Sequence, residues 1–123
     1  MEATLNLKGK FKFECFDKDG NLKWKNEADN AATDEGLNSV LNVYFHAATQ
    51  ISTWYIGLIT GTGTLAAADT LASHAGWTEG TSYTGNRLEW TAGAASSKSI
   101  TNAATVDFPC TGSMTVKGAF LAS

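Results

Sequence analysis

At 123 residues with 43% hydrophobic side chains, the chain has the length of one domain with a two-layer core, spanning 1–123. Charged residues make up 17% and the formal net charge is −3, which excludes the basic surface that nucleic-acid binding requires. No apolar run approaches the roughly 20 residues of a membrane helix, and the opening MEATLNLKGK holds no hydrophobic leader segment, so the chain is expected to work without a membrane, in a cytoplasm.

From Leu5 the pattern alternates. Leu5, Leu7, Phe11, Phe13 and Cys15 fall on one phase, with Asn6, Lys8, Lys10, Lys12 and Glu14 on the other, which predicts a long half-buried strand. The stretch DKDGN at 17–21 supplies an Asp-Gly turn. Alternation then resumes over LKWKN at 22–26, with Leu22 and Trp24 inward and Lys23 and Lys25 outward. The expected product is a β-hairpin whose solvent face carries Lys8, Lys10, Lys12, Lys23 and Lys25. Residues 1–25 hold six of the eight lysines and carry +2, and the remainder carries −5. Such a ladder is either a solvated face that protects an edge or a docking surface for an acidic partner.

The period changes after Asn30. Leu37, Val40, Leu41, Tyr44 and Phe45 recur at helical spacing, so one helix is expected at about 33–47. Thr33 is its expected N-cap, and Asp34 and Glu35 favour the first turn. Its apolar stripe is expected to cover a face or an end of a sheet. The stretch STWYIGLI at 52–59 is apolar on both phases and reads as a central strand, with Gly57 marking a bulge or a close backbone approach. A long loop follows at about 60–85, a length that is usually functional or forms short turns of its own. Strands return in RLEWTA, KSITN, TVDFPC and SMTVKGAFLA, with Leu88, Trp90, Val106, Phe108, Cys110, Met114, Val116 and Phe120 inward. Six to eight strands and one helix make a mainly β chain, expected as an antiparallel β-sandwich of jelly-roll-like type. Cys15 and Cys110 both fall on inward phases and are expected as buried, reduced thiols.

The loop places Asp69, His74 and Glu79 within eleven residues. The set could ligate one metal, or His74 could act as a base oriented by Asp69. Spacings of five and five match no metal motif, and a bracing role is expected instead. In that role Asp69 and Thr70 cap a short turn, His74 bonds across the loop and Trp77 pins it to the core. Arg87 and Glu89 share a strand face and are expected to pair with each other or with a neighbouring strand. TGTGT at 60–64 lacks the lysine of a phosphate loop, and neither a GxSxG elbow nor HExxH occurs. No enzymatic activity, cofactor or metal is expected.

The blocks NEADNAATDEGLNSVLNVYF, STWYIGLI, LAAADTLASHAGWTE, YTGNRLEWTAGAASSKSITN and VKGAFLAS, in that order, resemble a family of small structural proteins of tailed bacteriophages. The likeness runs from about position 27 to the end. It implies a virion protein, most like a head decoration (cement) protein that self-associates as a dimer or trimer over junctions of the major capsid protein. Localisation would be the head surface, after assembly in the host cytoplasm. On this reading the lysine-bearing hairpin meets the capsid, and the loop bearing Asp69, His74, Trp77, Glu79 and Tyr83 contacts a neighbouring subunit. A tail or head–tail connector component is the alternative, and a carbohydrate-binding module stacking sugars on Trp77, Tyr83 or Trp90 is a third. Members of this type often continue past the GAFL strand with another hairpin. Here either the chain is truncated after Ser123, or the edge at Phe120 and Leu121 is covered by a neighbouring strand or subunit.

Overall fold

The computed structural model describes residues 1–123. The chain is mainly β, with two antiparallel sheets and one helix. Strands β1 (Lys8–Phe16) and β2 (Leu22–Ala31) form a two-stranded ribbon, in register from Lys8 opposite Ala31 to Cys15 opposite Trp24, with an irregularity between Cys15 and Phe16. Its turn is closed by Asp17, whose carboxylate accepts the backbone N–H groups of Asp19 and Asn21, each at 2.9 Å. Gly20 supplies the positive φ of 82° that the turn needs. These bonds to the ionised form hold the Asp17 carboxyl below its usual range, the Asn21 N–H contributing most.

β1 keeps the expected alternation, with Gly9, Phe11, Phe13 and Cys15 half-buried between exposed lysines. β2 does not. Leu22 and Trp24, expected inward, are both exposed, because no other element packs over the far half of the ribbon. The ribbon also runs further than the hairpin read from the sequence, taking in residues 27–31 and with them Glu27 and Asp29.

Helix α1 (Asp34–Phe45) begins where expected. Thr33 Oγ1 accepts the Gly36 N–H at 3.2 Å, and the Asp34 N–H donates to the Ala67 carbonyl at 2.8 Å. The stripe is not covered as expected. Leu37 and Leu41 are half-buried, as are the small or flanking residues Gly36, Ser39 and Val43, while Val40, Tyr44 and Phe45 face solvent. No residue of the helix is fully buried.

The second sheet is organised by β3 (Trp54–Thr60). Along one edge lies β6 (Gly118–Ala122), paired from Tyr55 opposite Ala122 to Ile59 opposite Gly118. The other edge is shared end to end by β5 (Leu88–Trp90), opposite Trp54–Ile56, and β4 (Thr78–Gly80), opposite Leu58–Thr60. β3 is buried on both faces over Ile56–Ile59, and a strand buried on both faces is apolar on both, as STWYIGLI is. One face presents Ile56, Leu58 and Ala119, which with Tyr83 form the buried core. Phe11 and Phe13 of the ribbon, Leu88, Trp90, Val106, Phe108, Met114 and Val116 pack around it.

The last third of the chain differs from expectation in an instructive way. Val106, Phe108, Met114 and Val116 are half-buried on the predicted phase, yet residues 103–117 form no ladder beyond a single bridge between Tyr83 and Cys110. Cys110 is exposed rather than buried, and both thiols are free. The whole chain holds 45 backbone–backbone hydrogen bonds, where a closed domain of this length holds on the order of 80. It exposes 9116 Å² for a mass of 13.0 kDa, whereas a compact monomer of that mass exposes about 6,300 Å².

Candidate functional site and docking surfaces

The face of the β3 sheet turned away from the core carries a continuous stack of side chains. It starts at Gly57, where a methyl group would fall inside the Phe120 ring. The absence of a side chain lets Phe120 lie flat across the strand, which is the close approach the sequence suggested. Trp77 packs on Phe120 with ring centroids 5.1 Å apart, and His74 stacks on Trp77 at 3.7 Å. On Phe120 also sits the Arg87 guanidinium, 5.3 Å from the ring centroid, a cation–π contact.

Each polar group in this stack is held. Arg87 donates from Nε to Glu79 Oε1 and from Nη2 to Glu79 Oε2, both at 2.8 Å, a bidentate fork. That fork raises the Arg87 pKa further above its ordinary value. The Asp69 carboxylate accepts the Trp77 indole N–H at 3.1 Å and the Ala66 N–H at 2.9 Å. His74 Nδ1 lies 3.0 Å from the Trp77 carbonyl oxygen. A carbonyl only accepts, so Nδ1 is the donor in this contact. The Gly76 carbonyl takes the Thr64 N–H at 2.9 Å and the Thr62 hydroxyl, closing the base of the loop.

These contacts sort the residues expected to meet a neighbouring subunit. Asp69, His74 and Trp77 brace the loop, the role expected of them from the sequence, and Trp77 is only 7% exposed. Tyr83 is 5% exposed, edge-on to Phe108 at 4.8 Å, and burial raises its phenol pKa, with Glu79 adding to the effect. Glu79 is committed to Arg87. Trp77 and Tyr83 are therefore turned into the chain and are not offered to a subunit or a sugar ring. Asp69 caps in the reverse sense from that expected, bonding upstream to Ala66, while Thr70 Oγ1 accepts the Ser73 N–H at 3.2 Å. No group of three or more His, Cys, Asp and Glu side chains is placed to hold a metal ion.

The partner of Arg87 was open in the sequence. It is Glu79, on the neighbouring short strand, and not Glu89. The sequence signal was thin: one acid in a three-residue stretch, TEG, eight positions upstream.

The lysine ladder is also less basic than its own segment implies. Lys10 Nζ lies 3.2 Å from Glu27 and 4.0 Å from Asp29, and Lys12 Nζ lies 4.0 Å from Glu27. The bond from Lys10 to Glu27 raises the Lys10 pKa, with the Glu27 and Asp29 charges adding to it. The acids come from β2, the strand the sequence ended too early. Of the ladder lysines, Lys8, Lys23 and Lys25 form no ion pair.

No family model, curated protein or solved structure matches the chain. The functional reading therefore rests on the residues and their arrangement.

Proposed function

We propose that the protein is a structural component of a tailed-bacteriophage virion, most like a head decoration (cement) protein that binds between subunits of the major capsid protein. One observation carries the reading. The chain exposes about 2,800 Å² beyond the surface of a compact monomer of its mass, an excess larger than one partner loses in a standard interface, about 800 Å². Surface left uncovered on this scale suits residues that pack against further polypeptide, as they would inside an assembly. The order of sequence blocks supplies the kind of assembly.

The mechanism is binding, not catalysis. A clip with affinity for the assembled lattice alone stabilises that lattice by RT ln(1 + [L]/Kd) at each site. Weak contacts repeated over a shell act together through avidity. Lys8, Lys23 and Lys25 are the charges left to meet an acidic capsid surface, and Lys10 and Lys12 contribute less because Glu27 and Asp29 neutralise them.

Purified protein added to undecorated phage heads is expected to bind and to raise their resistance to heat. Failure to bind, or binding with no gain in resistance, removes the proposal. A reconstruction of whole particles that places the chain in the tail replaces it with the connector alternative.

A further inference from the structure

The strand expected at KSITN is one side of a small hairpin, residues 91–103, that follows β5 directly. The Gly93 N–H donates to the Thr101 carbonyl and the Ala103 N–H to the Thr91 carbonyl, both at 2.8 Å, and Ser96 and Ser99 exchange two bonds of 2.9 Å. Its tip is Ser97 and Lys98, with φ of 51° and 61°. Two-residue turns of this kind ordinarily use Asn-Gly, so a left-handed pair without glycine is strained. Such strain persists where the surrounding structure imposes it, and ligand clamps are among the places where it gathers.

The returning side of this hairpin, Ser99–Thr101, stands across from the base of the ribbon, Lys8–Lys10 with Asp29. Between them lies an open cleft of about 430 Å³, within the range of small-molecule sites, about 300–1,000 Å³. Ile100, 56% exposed, is the one apolar residue of the lining. The charges are unequal: Lys10 is drawn to Glu27 at 3.2 Å and to Asp29 at 4.0 Å, and Lys8 has no counter-ion. Thr101 Oγ1 donates its hydrogen to Asn102 Oδ1 at 3.2 Å, so toward a ligand it accepts. Both backbone groups of Ser99 are bonded inside the hairpin, which leaves its hydroxyl.

Each of these groups selects a different complement. The Lys8 ammonium takes an oxyanion. The Asp29 carboxylate repels a second negative charge but accepts hydroxyls, as Thr101 Oγ1 does. Ile100 gives an aliphatic surface on which the C–H face of a ring can lie. A single carboxylate carried on a hydroxylated ring meets all of these demands, whereas a phosphate monoester, with close to two charges at neutral pH, sets its excess charge against Asp29. We propose that the cleft between the ribbon base and the 91–103 hairpin binds an acidic sugar, a hexuronate, through Lys8, Asp29, Ser99 and Thr101. The site shares no residue with the stack on the β3 sheet and needs neither Trp77 nor Tyr83. It is tested on free protein without heads, so it can fail while head binding stands, and the reverse.

The experiment is a titration of the full, isotope-labelled chain with glucuronate, followed by backbone amide shifts, with glucose, acetate and inorganic phosphate as separate arms. Glucuronate is expected to saturate with a Kd on the order of 1 mM, as suits a ligand of this size in an open cleft. The amides of Lys8, Asp29, Ser99 and Thr101 are expected to move together along one binding curve. Glucose lacks the carboxylate and acetate lacks the hydroxyls, so each is expected to bind about tenfold or more weakly. Lys8→Gln is expected to weaken glucuronate about tenfold or more, the worth of a hydrogen bond to a charged group, and to leave glucose unchanged. Lys25→Gln, in the other strand near the ribbon turn, is expected to change neither. Both lysines are exposed, so both variants are expected to melt with the wild type. No saturation at about ten times the expected Kd, any of the three other probes binding as tightly as glucuronate, or an undiminished affinity in Lys8→Gln overturns the proposal.

Discussion

Substituting Gly57 by alanine tests the stack on the outer face of the β3 sheet. The backbone at Gly57 is ordinary extended strand, so alanine costs nothing there in φ, and the effect reports packing alone. Its methyl group would fall among the ring atoms of Phe120. The ring cannot simply swing away, because Trp77 lies on one part of it and Arg87 on another. Overpacking of this kind costs about 1–3 kcal/mol. With about 2.1 cal/mol/K of unfolding entropy per residue, that loss lowers Tm by roughly 4–12 °C for a chain of this length. Thermal and urea melts measure it. The clash is isolated by adding Phe120→Ala: removing the ring costs less in the Gly57→Ala background than in the wild type, with a coupling of about 1–3 kcal/mol. A Gly57→Ala protein that melts with the wild type, or two substitutions whose effects simply add, refutes the account of the stack.

Arg87→Lys loses the fork to Glu79 but keeps the charge. Both side chains are partly solvated, so the expected cost is modest, about 0.5–1 kcal/mol in a urea melt. Trp77→Phe keeps most of the ring but deprives Asp69 of the indole N–H, and about 1 kcal/mol of stability is expected to go. Faster amide exchange at Thr64, whose N–H closes the loop, is expected with it. At the ribbon turn, the Asp17 carboxyl titrates below its ordinary value in the folded chain. Its contribution is therefore complete above the unfolded carboxyl range and disappears as pH falls through the lower, folded value. The Asp19 and Asn21 amide resonances are expected to shift in that acidic window, and not to do so in Asp17→Asn. Cys110 is exposed and Cys15 half-buried, so a thiol reagent is expected to modify Cys110 first in the native protein; equal rates contradict the placement.

Local patterns in the sequence carried well into the structure. Alternation in β1, the Thr33 cap, the apolar β3 and the bracing of Asp69, His74 and Trp77 are all decided by neighbours a few residues apart or by one buried aromatic. What was not legible depends on which element lies across from which. Leu22 and Trp24 have the pattern of inward residues, but inwardness requires a layer on that side, and none is supplied. The stripe of α1 has the same history. In residues 103–117 the side-chain phase was readable because apolar groups find the core, while ladder formation depends on an adjacent strand that the pattern does not specify. β2 runs past the LKWKN pattern because Glu27, Asp29 and Asn30 disfavour strands alone, whereas pairing with β1 overrides that preference.

The position of β3 has a consequence for how the polypeptide acquires its shape. The backbone pairing of the ribbon and the turns of the helix lie within residues 8–45 and can form while synthesis continues. β3, by contrast, waits for partners at 78–80, 88–90 and 118–122, the last of them some sixty positions downstream. Pairings so distant in sequence are slow to assemble. A nascent chain therefore carries STWYIGLI with its β6 edge unpaired until residues 118–122 have been made, and a chaperone that recognises extended apolar segments would find its binding site there.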